Sequence, residues 1–363
     1  MSAETIFTSF DIKSVELANR LAVAPMTRVS ATENGLATQR MVAYYRRFAK
    51  GGFGLLMSEG IYPDRLYSQG YAYQPGISDD EQAQAWKPVV SAVHEHGAKI
   101  FAQLMHAGAL SQANIFKDKT LGPSAELPKG EQMGFYRGVG QYPIPLEATE
   151  EDIADAIAGF GQAARRALTV SGFDGIEIHG ANGYLLDQFF TEYTNKRADR
   201  WGGDIRQRLN LTLAVLKEVK SVSGEKPVGV RISQGKVNDF THKWTEKEAG
   251  AEAVFGALAD AGAAYIHVTE FEAWKPAFEG GDDSLVKLAR RYAKGVPIIA
   301  NGSVTQLADA QKVMEEGADI VALGKAALAN PDWPNKVKGR AGLTQFDFSL
   351  LQPIAHVKDE ELA

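Results

Sequence analysis

The sequence predicts an α/β fold, a single TIM (β/α)8 barrel, because two kinds of segment alternate along it. Short apolar runs are followed by longer segments whose apolar residues recur at helical spacing. About eight such units fit a closed barrel better than an open, doubly wound sheet. No Gly-x-Gly-x-x-Gly motif stands at a turn from strand to helix, which also argues against a dinucleotide-binding sheet. A barrel of this kind accommodates residues 1–363 as one domain.

The apolar runs and the segments between them give the predicted elements. Eight runs are predicted as strands: Leu21–Met26, Phe53–Glu59, Lys99–Met105, Gly175–His179, Val228–Ser233, Tyr265–Glu270, Val296–Asn301 and Asp319–Gly324. Examples of predicted helices are Glu81–His96, Glu151–Ser171, Ile205–Ser221, Thr245–Ala261, Asp283–Lys294 and Thr305–Glu316. In the last of these helices, Thr305 is the expected N-cap and Gly317 the expected glycine after the C-cap.

Three segments do not fit the repeating unit. The insertion after the third strand, Ser111–Ala148, is rich in glycine, proline and polar residues, so we expect a lid or hairpin over the C-terminal face of the barrel, with Tyr136 in the pocket wall. Phe271–Asp282 is expected to form a shorter loop on the same face. Residues 341–363 form a C-terminal tail whose charged end, Lys358–Ala363, is expected to fray.

Composition excludes several classes of site and partner. The chain has no cysteine, which removes disulfides, thiolate nucleophiles and cysteine-bound zinc or iron–sulfur clusters, and no metal site is predicted. A formal net charge of −6 without a basic stripe argues against nucleic acid. The sequence shows no signal peptide and no apolar run that could span a bilayer, so we expect a cytoplasmic protein that is not bound to a membrane. The oligomeric state is left open, with a homo-oligomer among the alternatives.

Functional residues of a TIM barrel lie where the strands end. The seventh and eighth predicted strands end in Asn301-Gly302 and Gly324-Lys325. Loops at these two positions commonly bind a phosphate through backbone N–H groups, and glycine allows close approach. The alternative is that both glycines only make tight turns. Their occurrence in both of the last two units favours a ligand that carries a phosphate.

Two further strand ends present polar side chains. Arg231 follows the fifth strand, and a buried arginine needs an anionic or strongly accepting partner, for which a reduced flavin or a loop carboxylate would serve. Gln103, on the third strand, offers an amide that pairs well with a flavin pyrimidine edge but is unremarkable alone.

The decapeptide of residues 175–184, Gly-Ile-Glu-Ile-His-Gly-Ala-Asn-Gly-Tyr, is the most informative segment of the chain. Its strand ends in His179, and Asn182 follows across a glycine-rich turn, so both side chains can donate hydrogen bonds to one oxygen. Two such donors stabilise an enolate-like oxygen. Tyr184 keeps its proton at neutral pH and can protonate a carbanion. The alternatives are a structural histidine and a tyrosine that packs at a helix start.

These residues together resemble the old yellow enzyme family of FMN-dependent ene-reductases. The likeness covers residues 4–340. It is carried by Ala-Pro-Met-Thr-Arg at 24–28, Ala-Gln-Leu at 102–104, His-Gly-Ala-Asn-Gly-Tyr-Leu-Leu-Asp-Gln-Phe at 179–189, Asn-Lys-Arg-Ala-Asp-Arg-Trp-Gly-Gly at 195–203, Val-Arg-Ile-Ser at 230–233, Ala-Asn-Gly-Ser at 300–303 and Leu-Gly-Lys-Ala-Ala-Leu-Ala-Asn-Pro-Asp at 323–332.

The resemblance implies which residues hold FMN, bound tightly but not covalently. Thr27 would bond the O4 edge of the flavin and tune its potential, while Gln103 and Arg231 would hold the pyrimidine side. The isoalloxazine would be lined by Pro25, Met26 and Gly60. The phosphate would lie against Asn301, Gly302, Gly324 and Lys325. The family usually has arginine in place of Lys325, so bidentate phosphate binding is lost here.

The resemblance also implies the reaction, an NAD(P)H-dependent reduction of alkenes conjugated to a carbonyl or nitro group. NADH or NADPH would reduce FMN, and the alkene would then bind over the flavin. His179 and Asn182 would bind the activating group of the substrate, the flavin would give hydride to the β-carbon, and Tyr184 would protonate the α-carbon. Alternatives on the same scaffold are a flavin-dependent oxidase or dehydrogenase of another small substrate, a non-catalytic FMN-binding protein, and a barrel for another phosphorylated ligand, such as an aldolase.

Overall fold

The computed structural model describes residues 5–362, and in it eight parallel strands close into a barrel. Twelve strands occur within these residues: β1 (Phe10–Ile12), β2 (Val15–Leu17), β3 (Leu21–Val23), β4 (Leu55–Met57), β5 (Lys99–Leu104), β6 (Leu121–Gly122), β7 (Leu146–Glu147), β8 (Gly175–His179), β9 (Val228–Ser233), β10 (Ile266–Thr269), β11 (Ile298–Asn301) and β12 (Ile320–Leu323). The barrel order is β3, β4, β5, β8, β9, β10, β11, β12, with β12 paired back to β3. This confirms the predicted TIM barrel, and each predicted strand contains one observed strand.

Helices connect the barrel strands on the outside. They are α1 (Gln39–Lys50), α2 (Asp80–His94), α3 (Glu150–Arg166), α4 (Leu185–Phe190), α5 (Ile205–Arg208), α6 (Asn210–Ser223), α7 (Lys247–Asp260), α8 (Leu285–Tyr292), α9 (Leu307–Glu315), α10 (Lys325–Ala329) and α11 (Trp333–Lys338). No helix among residues 5–362 is long and apolar enough to cross a membrane.

Helix α9 shows one prediction that is wrong and one that is confirmed. Its N-cap is Gln306 rather than Thr305, because the Asp309 carboxylate accepts hydrogen bonds from the N–H groups of both Thr305 and Gln306 and from the Thr305 hydroxyl. The helix therefore begins one residue later than expected. At its other end Gly317 follows the C-cap with φ of +115°, a backbone angle that favours glycine.

A hairpin that the sequence analysis did not predict closes the bottom of the barrel. Strands β1 and β2 pair antiparallel, and the side chains of Ile12 and Leu17 are fully buried against barrel residues that include Leu55 and Phe101. The hairpin was not predicted because each strand has only three residues, too few to show an alternating pattern. With this end filled by apolar side chains, the opposite face, where the strands end, is left for a ligand.

Residues of the 111–148 insertion form little regular structure. Strands β6 and β7 make a two-residue parallel pair, and a 3-10 turn covers Gly134–Tyr136. Met133, Phe135 and Tyr136, from the middle of this segment, line the cavity on the C-terminal face of the barrel.

The expectation that the charged end of the chain frays is wrong for its described part. Glu361 is buried, and its carboxylate pairs with Arg28, which is 0% exposed, and with Arg47. Arg28 also donates to the backbone carbonyls of Ala355 and His356. Four hydrogen bonds from the Arg28 guanidinium to this segment fix it against the loop after β3.

Candidate active site

One large cavity, of about 520 Å³, lies at the C-terminal ends of the barrel strands. Its size is within the range of small-molecule and cofactor sites. Twelve of the thirteen residues predicted from the sequence line it: Pro25, Met26, Thr27, Gln103, His179, Asn182, Tyr184, Arg231, Asn301, Gly302, Gly324 and Lys325.

The exception is Gly60, which does not line the cavity. A Cβ atom added at this glycine would lie 2.6 Å from the Met105 sulfur, and Met105 is itself a lining residue. Gly60 therefore makes room for Met105, and the methionine side chain faces the cavity at this point.

His179 ends β8 as a buried, neutral hydrogen-bond donor. Burial lowers the pKa of the imidazole well below its usual value of 6.5, and electrostatic interactions with Arg231 and His267 lower it further. The Ala181 N–H donates to Nδ1 at 3.3 Å, which assigns the ring proton to Nε2. His179 can thus donate one hydrogen bond without gaining a charge.

The backbone around Asn182 has an uncommon conformation. Its φ is +62°, in the left-handed region, and the following Gly183 has φ of +86°. The Asn182 N–H donates to the Ser233 hydroxyl at 2.8 Å, and its carbonyl accepts from the Val237 N–H at 3.0 Å. One backbone group is bound to the last residue of β9 and the other to the loop after it, and Asn182 lines the cavity together with His179.

Tyr184 lies against His179 and forms a pair with a second tyrosine. The rings of His179 and Tyr184 are 4.9 Å apart between centroids and meet edge to face. The hydroxyl of Tyr184 is 2.6 Å from the hydroxyl of Tyr71, which is completely buried. Burial raises the pKa of Tyr184 to about 12, although the hydrogen bond from Tyr71 opposes that rise. The position of Tyr71 beside Tyr184 could not be predicted from the sequence, because Tyr71 lies in the irregular segment between β4 and α2.

A buried network behind the cavity orients Gln103. The side-chain amide of Gln103 donates to Glu177 at 2.8 Å, and His267 bridges Glu177 to the Asn301 side chain at 2.8 and 3.0 Å. Coulombic attraction and a hydrogen bond from His267 hold the pKa of Glu177 below its usual value against the opposing effect of burial. The side chains of Gln103 and Asn301 are therefore held in place by buried residues of the barrel interior, Glu177 and His267.

Arg231 is a buried cation with unused donor capacity. One terminal nitrogen donates to Thr269 and Asn301, both at 3.3 Å, and Nε is buried without a hydrogen-bond partner. No carboxylate lies within ion-pair distance of this guanidinium among residues 5–362. A buried charge is costly unless it is paired, so this site fits an acceptor-rich or anionic group in the cavity.

The predicted phosphate residues lie together on one side of the cavity, but Gly302 has a second role. With φ of +152°, it passes so close to the β10 loop that an added Cβ would be 2.2 Å from the Glu270 carbonyl oxygen. The close approach that requires glycine here is therefore to protein backbone. Lys325, at the start of α10, is exposed, with its Nζ 5.9 Å from the centre of the Phe346 ring.

Glu59 is a functional candidate that the sequence analysis missed. Its Oε2 accepts from the N–H groups of Arg28 and Val29 at 2.9 and 3.2 Å, and its Oε1 is buried without a partner. Burial raises the pKa of this carboxyl from 4.5 to about 7. Glu59 holds the loop that carries Thr27 into the cavity.

Three segments distant in sequence close one wall of the cavity. The Tyr136 hydroxyl donates to the Thr27 carbonyl at 3.2 Å, and the Ala355 N–H donates to the Phe135 carbonyl at 2.9 Å. Leu351, from the C-terminal segment, lines the same cavity. Of these residues, only Tyr136 was predicted to lie in the cavity wall. Irregular segments have no periodic pattern from which their contacts with each other could be predicted.

The mouth of the cavity is apolar and exposed. Phe240 and Phe271 both line it, and they are 80% and 79% exposed. Large exposed aromatic side chains beside a pocket mark a surface that binds apolar ligands.

Comparisons with known proteins show the family to which this chain belongs. The model of the NADH:flavin oxidoreductase / NADH oxidase family matches residues 5–343. The probable NADH-dependent flavin oxidoreductase YqiG of Bacillus subtilis is 33% identical over 344 residues, which cover 92% of this chain and 87% of that protein. A probable flavin mononucleotide-dependent alkene reductase of Leishmania infantum is 34% identical, covering 91% and 89%. The solved structure of the old yellow enzyme homologue from Zymomonas mobilis superimposes with a TM-score of 0.86 at 29% identity, covering 99% and 98%.

Proposed function

We propose that this chain, which belongs to the NADH:flavin oxidoreductase / NADH oxidase family of old yellow enzymes, reduces the C=C bond of α,β-unsaturated carbonyl and nitro compounds. Membership makes it an FMN- and NAD(P)H-dependent oxidoreductase that acts on activated alkenes. The finer choice of substrate is supported by one observation. A neutral imidazole, a carboxamide and a phenol line one cavity, at His179, Asn182 and Tyr184.

The protein groups available fit FMN. The buried and partly unpaired guanidinium of Arg231 suits the pyrimidine edge, and Gln103, fixed by Glu177, suits the same edge. Thr27 would bind at the O4 side, and Asn301, Gly302, Gly324 and Lys325 would surround the phosphate. Reduced FMN supplies the hydride that the β-carbon of the substrate receives.

His179 and Asn182 would bind the oxygen of the substrate's activating group. Negative charge grows on this oxygen as hydride adds to the β-carbon, and two donors fixed in advance stabilise that charge without reorganisation. Because the pKa of His179 is depressed, the imidazole donates from Nε2 as a neutral group. Met26, Tyr136 and Leu351 add apolar wall to the same cavity.

Tyr184 would give its proton to the α-carbon. The phenolate left behind would accept a hydrogen bond from the hydroxyl of Tyr71, 2.6 Å away, and both tyrosine side chains are buried. The same hydrogen bond lowers the pKa of Tyr184 against the effect of burial, which eases the transfer.

The Tyr184→Phe variant tests this assignment. We expect flavin reduction by NADH or NADPH to survive, whereas reoxidation of the reduced enzyme by cyclohexenone slows by about 10²-fold or more, since general acid catalysis contributes that much. Stopped-flow absorbance follows the two half-reactions separately. The matched control is Tyr193→Phe, because the Tyr193 hydroxyl is buried without a hydrogen-bond partner and does not line the cavity. Equal cyclohexenone rates in both variants would remove Tyr184 from this role, and a wild-type protein that never turns over cyclohexenone would refute the proposed function.

A further inference from the structure

We propose that the buried ion pair of Lys236 and Asp187 is a positioning device for Asn182, and that it thereby sets how tightly the site binds the oxygen of its substrate. The inference rests on the proposed function, in which Asn182 binds that oxygen. Neither charged residue touches the reacting atoms in this scheme, so each acts through the turn that carries Asn182.

The turn at residues 181–184 needs support from outside itself. Left-handed backbone is unfavourable for most residues with a side chain, although asparagine adopts it more readily than others, and Asn182 holds it with φ of +62°. The Asn182 side chain makes no hydrogen bond to another residue in the described part of the chain, so only the backbone of the turn holds it in place. A shift of this backbone would therefore move the carboxamide with it.

The ion pair joins the two segments that hold the turn. Lys236 Nζ donates to Asp187 Oδ1 at 2.8 Å, and the other oxygen of that carboxylate accepts from the Gly183 N–H at 2.6 Å. Asp187 thus contacts the residue next to Asn182, whereas Lys236 belongs to the loop after β9. That same loop binds the carbonyl of Asn182 through Val237, and Ser233, at the end of β9, binds its N–H.

Burial makes this connection rigid. The side chains of Lys236 and Asp187 are 2% and 0% exposed. Separating these two charges would leave each one buried and unpaired, which is strongly unfavourable, so the pair holds the two segments in a fixed relative position. Gly183 packs closely against the β9 loop, because an added Cβ there would lie 2.8 Å from Asn238 Oδ1 and 3.1 Å from Lys236 Cβ.

The Lys236→Met variant, purified with FMN, tests the inference. We expect kcat/KM for cyclohexenone to fall about tenfold, less than the loss of a whole oxyanion donor, mainly through a higher KM. The dissociation constant for cyclohexanone, a saturated ketone that cannot be reduced in this way, should rise by a similar factor in a titration of flavin absorbance. The matched control is Lys129→Met. Lys129 pairs with Asp239 of the same loop at 2.8 Å, but it is half exposed and does not line the cavity. Its kcat/KM should stay within about twofold, as is usual for exposed pairs.

A double variant, Lys236→Met with Asp187→Asn, separates positioning from stability. It leaves no lone buried charge, and its amide oxygen can still accept from the Gly183 N–H, so we expect the melting temperature lost in Lys236→Met to recover. The side-chain link between residues 236 and 187 stays absent, so kcat/KM and the cyclohexanone dissociation constant should remain impaired.

Two results would overturn the inference. One is unchanged cyclohexenone kinetics in the single variant, and the other is recovery of kcat/KM together with melting temperature in the double variant. If the single variant does not fold, the double variant alone carries the comparison with wild type. A wild-type enzyme that reduces cyclohexenone while the variants behave normally would refute only this inference and leave the proposed reaction intact.

Discussion

Replacing Glu59 with glutamine is expected to remove a large pH dependence from the stability of the protein. Glu59 is 1% exposed, and one of its carboxylate oxygens has no hydrogen-bond partner. Burial therefore favours the protonated form, and the pKa rises from 4.5 in the unfolded chain to about 7 in the folded protein. Glutamine keeps an oxygen that can accept from the Arg28 and Val29 N–H groups, but it cannot ionise.

The sign and size of the effect follow from that raised pKa. A carboxyl that holds its proton more tightly when folded stabilises the protein below pH 4.5, and this stabilisation is lost as the pH rises through about 7. The whole difference amounts to about 3 kcal/mol, at about 1.4 kcal/mol per pH unit. Between pH 6 and pH 8, where the protein is convenient to handle, the loss is about 1.4 kcal/mol.

Urea unfolding of wild type and Glu59→Gln between pH 6 and pH 8, with FMN in fixed excess, measures this difference. The free energy of unfolding of wild type should fall relative to the variant as the pH rises. Glu33→Gln, at an exposed glutamate, should follow the wild-type curve. A wild-type to Glu59→Gln difference that stays constant over this range would show that Glu59 does not titrate there, and the account of its burial would be wrong.

Two further variants test the site. Tyr71→Phe removes the hydroxyl that is 2.6 Å from the Tyr184 hydroxyl. We expect reoxidation of the reduced flavin by cyclohexenone to slow by about tenfold or more, because a hydrogen bond to a charged group contributes about 1.5–3 kcal/mol. Flavin reduction should be unchanged in stopped-flow absorbance. An equal slowing of both half-reactions would contradict this role. Gly302→Ala should displace the Glu270 backbone and lower both melting temperature and flavin content, with a stability loss of about 1–3 kcal/mol. Gly256→Ala in α7, where an added Cβ meets nothing within 4 Å, is the control and should be neutral or stabilising.

Much of the fold was predictable because a parallel barrel strand is buried on both sides. Gly175–His179 and Val228–Ser233 stand out as short runs rich in valine and isoleucine, and their observed bounds equal the predicted ones. The end of a strand is predicted less accurately where the apolar run continues past the strand into the site. Leu21–Met26 was predicted as one strand, but regular pairing stops at Val23, since Pro25 cannot donate to a ladder.

The site was predictable only where a motif sits at a strand end. His179, Arg231 and Asn301 follow strands that periodicity locates, so their convergence in one cavity could be anticipated. Tyr71 and Leu351 lie in irregular segments, and their position depends on loop packing that a single sequence does not encode in any period. The prediction of a frayed end failed for the same reason, because the partner of Glu361 lies 333 residues away at Arg28.

The pairing of Arg28 with Glu361 has a consequence for how the protein is made. The barrel strands are complete by Leu323, so a nascent chain can close the cylinder well before the last segment emerges from the ribosome. The wall beside Thr27 cannot form at that stage, since Leu351 and Ala355 have not yet been added and the guanidinium of Arg28 lacks its partner Glu361. Capture of the cofactor in its final surroundings must therefore wait until synthesis has passed residue 361.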